Sequence, residues 1–222
     1  MMKFMKLAAY AVFCIIPACG SAKTLNIALD VSASVPLIHQ DAAAAAVAAY
    51  LKKRVNELEL GDQIEVKFVG EYGAGENFRQ LSLRISRQNR ASEVASAVER
   101  IVAGLPRMQR DSKIRPQEAT NLIGYLEDQA TRLRCDEQPT EIIMITDGIE
   151  SSTLVDGLSL VTGKSKLPAP SSPILSGCLM TMIGIGQING GGGPMITRNL
   201  VAAWTTWAAQ AGIKTFSALP SF

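Results

Sequence analysis

Two runs, Thr24-Leu25-Asn26-Ile27-Ala28-Leu29 and Ile142-Ile143-Met144-Ile145, are apolar almost throughout, and each leads into an aspartate, Asp30 and Asp147. A strand with one wet face alternates apolar and polar residues. Runs without alternation need cover on both faces, and helices on either side of a mostly parallel sheet supply it. The rest of the chain agrees with that requirement, because its hydrophobic period switches repeatedly between strand-like and helix-like segments.

Asp41 is expected to cap an alanine-rich helix reaching about Leu58. Gln63 to Val69 alternates as a second strand, Gly70 to Gly75 forms a turn, and Phe78 to Ile85 reads as a third strand. Ser92 to Met108 carries a helical stripe at Val94, Ala95, Val98, Ile101 and Val102. Pro116 breaks the pattern, Thr120 to Leu133 is helical, and Glu141 to Thr146 is a strand. Leu179 to Ile185 is a strand, Ile196 to Ala211 a helix, and Ile213 to Leu219 a final short strand. The fold class expected is α/β, a doubly wound, mostly parallel β-sheet flanked by helices, with no internal repeat or heptad.

The segment Asp30-Val31-Ser32-Ala33-Ser34 places one carboxylate and two hydroxyls two residues apart at a strand end. These are hard oxygen donors of the kind that magnesium and manganese take in octahedral geometry. Thr120 opens the helix after Ala119, and Asp147 precedes Gly148 at the end of the second run. Asp-x-Ser-x-Ser, then Thr, then a strand-terminal Asp-Gly resembles the metal-ion-dependent adhesion site of a von Willebrand factor A domain. The resemblance covers about residues 24 to 219.

That resemblance implies that Ser32, Ser34 and Thr120 coordinate a magnesium ion directly, with manganese or calcium as alternatives. Asp30 and Asp147 would hold the ion partly through water. It also implies a partner protein whose Asp or Glu carboxylate completes the shell, with Asn121 and Gly148 shaping the rim. Taken singly, each residue has a plainer role: Ser32 and Ser34 bonded to backbone, Thr120 as a helix N-cap, Asp147 as a turn residue. An independent check is that ligands of open α/β sheets sit at the carboxyl ends of strands, where Asp30 and Asp147 meet if their strands are neighbours. Many domains of this family end with a further helix whose shift changes metal-site affinity. This sequence stops at Phe222 after the last strand, so a site of fixed affinity is expected.

The first 22 residues read as an export signal, leaving 23–222 as one domain. Lys3 and Lys6 precede an apolar run from Leu7 to Ala18, too short for a membrane anchor. Gly20-Ser21-Ala22 suits ordinary cleavage, whereas Ile16-Pro17-Ala18-Cys19-Gly20 resembles a lipobox in which Cys19 is acylated; only in that case does the membrane enter. A periplasmic or secreted location follows. The two lysines of this segment account for the chain's net charge of +2, so the remainder is neutral. A neutral surface lacks the basic stripe that nucleic-acid binding requires.

Of four cysteines, Cys14 and Cys19 fall in the export segment. Cys135 and Cys178 remain, and in an oxidising compartment they are expected to pair, tying the excursion between them to the sheet; two buried free thiols are the alternative.

Other features carry less. His39, the only histidine, follows the site loop. Trp204 and Trp207 are expected to pack on the sheet. Gly184 to Gly193 lacks the spacing of a nucleotide loop and reads as a mobile surface loop. Glu150, Ser151 and Ser152 either line the rim of the site or form a solvated loop. The insert 153–177, with its Leu167-Pro168-Ala169-Pro170 stretch, is an ordered loop or short helix beside the metal edge, or else a disordered excursion.

The function expected is an exported protein-binding module, not an enzyme, in an envelope, adhesion or transfer assembly. A magnesium phosphohydrolase of the haloacid dehalogenase type is one alternative, but it needs a second Asp where Ser32 stands and a well-placed Lys. A structural module with a vestigial metal site is the other.

Overall fold

A computed structural model describes residues 21–71 and 80–222. The export signal with Cys14 and Cys19, the turn over 72–75 and Phe78 lie outside the described residues. Six strands form the main sheet: β1 Thr24–Asp30, β2 Gln63–Val69, β3 Gln80–Arg84, β4 Thr140–Ile145, β5 Leu179–Ile183 and β8 Thr215–Leu219. A small hairpin, β6 Gln187–Ile188 with β7 Gly191–Gly192, stands apart. The sheet order is β3-β2-β1-β4-β5-β8, parallel except for the antiparallel edge strand β3.

The helices are α1 Asp41–Asn56, α2 Ala91–Ala103, α3 Leu105–Arg110, α4 Leu122–Ala130, α5 Gly157–Val161 and α6 Pro194–Gln210. Every residue of β1 and β4 is buried, as their unbroken apolar runs require. Leu25, Ile27, Leu29, Ile143 and Ile145 face one core with α1, α2 and α3. Ala28, Ile142 and Met144 face the other with α4, α5 and α6. Asn26 is the polar residue in the middle of β1: it accepts from the Tyr125 hydroxyl at 2.5 Å and donates to Gln129 Oε1 at 3.0 Å, which docks α4 on the sheet.

Several boundaries differ from expectation, each for a local reason. Asp41 is the first residue of α1, preceded by the N-cap Gln40, and its carboxylate pairs with Arg110 at 3.2 Å. The helix expected over 92–108 is broken at Gly104, and Pro106 sits in the first turn of α3, where a missing N–H costs nothing. Asn121, not Thr120, is the N-cap of α4; its side chain accepts from Gly124 N–H at 2.7 Å. Strand β5 stops at Ile183 because Gly184 turns the chain at φ +92°, against the ring of Phe222.

The insert 153–177 is the β4-to-β5 crossover. Only its start lies near the carboxyl edge. The short helix α5 packs along α6, where Asn199 donates to Val161 O at 3.0 Å, and the chain then returns to the amino edge through Leu175 N–H to Ala211 O at 2.9 Å. There Cys135 and Cys178 form a disulfide, their Cα atoms 4.9 Å apart. Trp204 and Trp207 are buried against the sheet in an edge-to-face pair with ring centroids 5.6 Å apart.

Candidate metal centre

β1 and β4 are parallel neighbours, with Leu29 opposite Ile145. β1 connects onward to β2 on one side while β4 lies on the other, so the carboxyl ends of these two strands flank the crevice where the strand order reverses. Asp30 ends β1, and Asp147 follows β4 by two residues. Both are fully buried.

Each carboxylate is held by its own loop. Asp30 Oδ1 accepts from Ser32 N–H at 2.8 Å, and Asp30 Oδ2 accepts from the Thr146 hydroxyl at 2.6 Å. Thr146 in turn accepts from Gly148 N–H at 3.0 Å. Asp147 Oδ1 accepts from Ile149 N–H at 2.9 Å, while Asp147 Oδ2 is buried without a hydrogen-bond partner. Gly148 adopts φ +78°, where a Cβ would lie 2.8 Å from Ile185 Cγ1; its carbonyl accepts from Trp204 Nε1 at 2.8 Å. The turn behind Asp147 is thus fixed from α6.

The serine loop is anchored on both flanks. Ser32 bridges to Gln117, with Ala33 N–H donating to Gln117 O at 2.8 Å, and His39 Nε2 lies 3.0 Å from Ala33 O. The only histidine therefore braces this loop. Ser32 Oγ and Ser34 Oγ are 3.3 Å apart, and Ser34 O accepts from Asn189 N–H at 2.6 Å. Asn189 belongs to the β6–β7 hairpin, so the glycine-rich run folds as a short hairpin that walls the serine loop. Gly186 N–H also donates to the backbone carbonyl of Asp147 at 2.7 Å, tying the approach to the hairpin to the main chain of the second aspartate.

Thr120 pairs in both directions with Ser151, its N–H to Ser151 O at 2.9 Å and Ser151 N–H to Thr120 O at 2.8 Å. Because Asn121 takes the capping role, the Thr120 hydroxyl is released from it. Glu150 is fully buried, which removes the solvated-loop reading of that residue. Its Oε2 accepts from Leu122 N–H at 2.7 Å and Ile123 N–H at 3.1 Å.

Burial pushes the Asp30 carboxyl up to about 6, against the Thr146 and Ser32 bonds that favour its charged form. Asp147 is pushed up to about 7, first by burial and then by the charge of Asp30, with the neighbouring Ser34 hydroxyl and Ile149 N–H acting the other way. Two buried carboxylates, the second raised further by the charge of the first and left with an unpartnered oxygen, beside two serine hydroxyls, suit a hard divalent cation. The donor set of Asp30, Ser32, Ser34, Thr120 and Asp147 gathers at this one edge.

Three contributors were not singled out as such from the sequence: Thr146 and Gln117 hold the two loops, and Asn189 supplies the wall. Thr146 offered a signal, a hydroxyl at the end of an otherwise apolar strand; Gln117 offered none.

No family model matches the chain, and no curated protein sequence matches it. Among solved structures it is similar to proximal thread matrix protein 1 from the mussel byssus, at 15% identity and a TM-score of 0.44, over 90% of this chain and 42% of that one. It is similar to the pilus adhesin SpaC of Lactobacillus rhamnosus GG at 13% identity and a TM-score of 0.47, over 90% of this chain and 28% of that one. The human COPII-coat protein Sec24c gives 12% identity and a TM-score of 0.46, over 90% and 29%. The chain spans less than half the length of each.

Proposed function

We propose that the protein is an exported module of the von Willebrand factor A type that recognises a partner protein through a divalent cation. The observation that carries this reading is Asp147 Oδ2, buried and unpartnered beside buried Asp30 and the Ser32 and Ser34 hydroxyls. Magnesium is the leading ion, with manganese or calcium compatible with the same oxygen donors. Ser32, Ser34 and Thr120 are its direct ligands; Asp30 and Asp147 hold it partly through water and offset its charge.

When bound, such an ion offers an open coordination position that an Asp or Glu side chain of the partner can fill. The chain's own residues prepare that encounter. Thr146 and the Ser32 N–H orient Asp30, Trp204 fixes the Gly148 turn, and the β6–β7 hairpin borders the half-buried Ser34. Ser32 stands where a phosphohydrolase of the haloacid dehalogenase type needs a second carboxylate, which favours binding over turnover.

The export reading rests on the leader pattern of residues 1–22, and a disulfide between Cys135 and Cys178 is compatible with an oxidising compartment. No helix among the described residues is long and apolar enough to cross a membrane. Acylation at Cys19 would place the domain on a membrane surface; an envelope, adhesion or transfer assembly is the setting.

Calorimetric titration with magnesium tests the reading. Wild type should bind one ion, whereas Asp30→Ala and the pair Ser32→Ala with Ser34→Ala should not, their far-ultraviolet spectra unchanged. Equal binding by all three proteins would defeat the assignment. Capture of the partner should then be abolished by chelator.

A further inference from the structure

Glu150 is fully buried, yet only one of its carboxylate oxygens is used. Oε2 receives the Leu122 and Ile123 amides, and Oε1 is buried with no hydrogen-bond partner. Leaving a buried carboxylate oxygen unsatisfied is costly; the Ser152 hydroxyl lies near this carboxyl but forms no hydrogen bond to Oε1, so a further donor such as a water is called for.

Capping α4 does not by itself account for the residue. Asn121 already accepts from Gly124 N–H, and a neutral side chain could receive the two remaining amides without bringing a charge into the interior. Burial pushes the Glu150 carboxyl up, the Ser152 hydroxyl and the Ile123 and Leu122 amides act the other way, and the charge of Asp30 adds a smaller push in the direction of burial. The next residue, Ser151, is paired in both directions with Thr120, so Glu150 lies directly behind a candidate ligand.

We propose that Glu150 is a positioning residue of the cation centre, its free Oε1 accepting a hydrogen bond from a water in the ion's shell while Oε2 holds the amino terminus of α4. This inference rests on the metal-binding reading above and extends it. The positive end of the α4 dipole offsets the third carboxylate, so the centre does not become too negative to receive an acidic partner. Ion occupancy is thereby linked to the docking of α4, which Tyr125 and Gln129 fasten to Asn26 at the other end.

The experiment is manganese titration of the wild-type chain and of Glu150→Gln, alongside thermal melts of both without metal. Gln keeps an oxygen for the Leu122 and Ile123 amides but puts a donor where the free oxygen was. Manganese affinity should fall at least about 10-fold, as for other outer-shell partners of metal sites. A variant that melts lower without metal but binds manganese as wild type does would make Glu150 a helix cap only and overturn the proposal. Should the variant not fold, the wild type still decides: the Glu150 carboxyl carbon resonance should shift on magnesium addition and saturate with ion binding, and a resonance that does not move overturns the proposal. A wild type that binds neither ion removes the metal reading itself, an outcome distinct from normal binding with an indifferent Glu150.

Discussion

The Thr146 hydroxyl donates to Asp30 Oδ2 at 2.6 Å and accepts from Gly148 N–H at 3.0 Å, so one oxygen fixes both the first carboxylate and the turn behind the second. Thr146→Val has nearly the same shape and lacks that oxygen. Urea unfolding of the metal-free variant should show a loss of about 1–3 kcal/mol, the cost of orphaning a buried acceptor. A loss below about 0.5 kcal/mol would mean that water replaces the hydroxyl. The two carboxylates also set a pH dependence. With Asp30 raised to about 6 and Asp147 to about 7, the folded state retains protons that the unfolded chain has released near pH 4. Metal-free stability contributed by this pair is therefore greatest at low pH and is lost as pH rises through about 4 to 7. In chelator, the Tm at pH 7.5 should lie below that at pH 5, and the difference should shrink in a variant with both aspartates changed to asparagine. Magnesium should raise Tm more at pH 7.5 than at pH 5, because protons compete for the same oxygens; a shift independent of pH would contradict the assignment. At this scale the apolar runs before Asp30 and Asp147 marked both aspartates, and the structure buries both at the carboxyl edge. For Glu150 the sequence left rim and wet loop open, because a Glu-Ser-Ser segment has the composition of a wet loop, and its bonds to the amino terminus of α4 account for its burial.

Elements were legible where burial is symmetrical and less so where a local cap or break decides. β1 and β4 could be read directly, since unbroken apolar runs leave a strand little choice but the sheet centre. The start of α4 was displaced because Thr120 and Asn121 are both good N-caps, and sequence does not say which side chain reaches the free amide. In the crossover from β4 to β5 the short helix was among the expected forms, but its path, set by α6 and the disulfide rather than by its own pattern, was not legible. That bridge joins the approaches to β4 and β5 at their amino ends, a strand's length of roughly 17–20 Å from the metal edge. Reduction should therefore lower stability by roughly 3–4 kcal/mol on loop-entropy grounds and leave the metal affinity unchanged. Urea unfolding and calorimetry with and without reductant separate the two effects. A change in affinity on reduction would show that the amino edge communicates with the site.

Across the whole molecule, the sheet divides into a self-sufficient body and a dependent edge. The two cores are closed by α1, α2 and α3 on one face and α4, α5 and α6 on the other, and neither core is built around the acidic pair. The carboxyl edge, by contrast, is a set of loops tied by one or two backbone contacts each: the Ser32 loop to Gln117, Thr120 to Ser151, Ser34 to Asn189, and Asp147 to Gly186. Contacts of this kind open locally at low free energy, whereas central strands open only with global unfolding. An ion seated between Asp30 and Asp147 would draw these loops together without changing the cores. Hydrogen exchange measured in magnesium and in chelator should accordingly show protection gained over 30–35, 117–124, 146–152 and 184–190. Amides at the opposite edge, around Thr24, Thr140 and Cys178, should exchange at the same rate in both conditions. Protection rising evenly over β1, β4 and β5 would instead mean that the ion stabilises the whole domain. No gain at the four loops would mean that the edge is already as ordered without the ion, and affinity for a partner would then have to come from contacts beyond the metal.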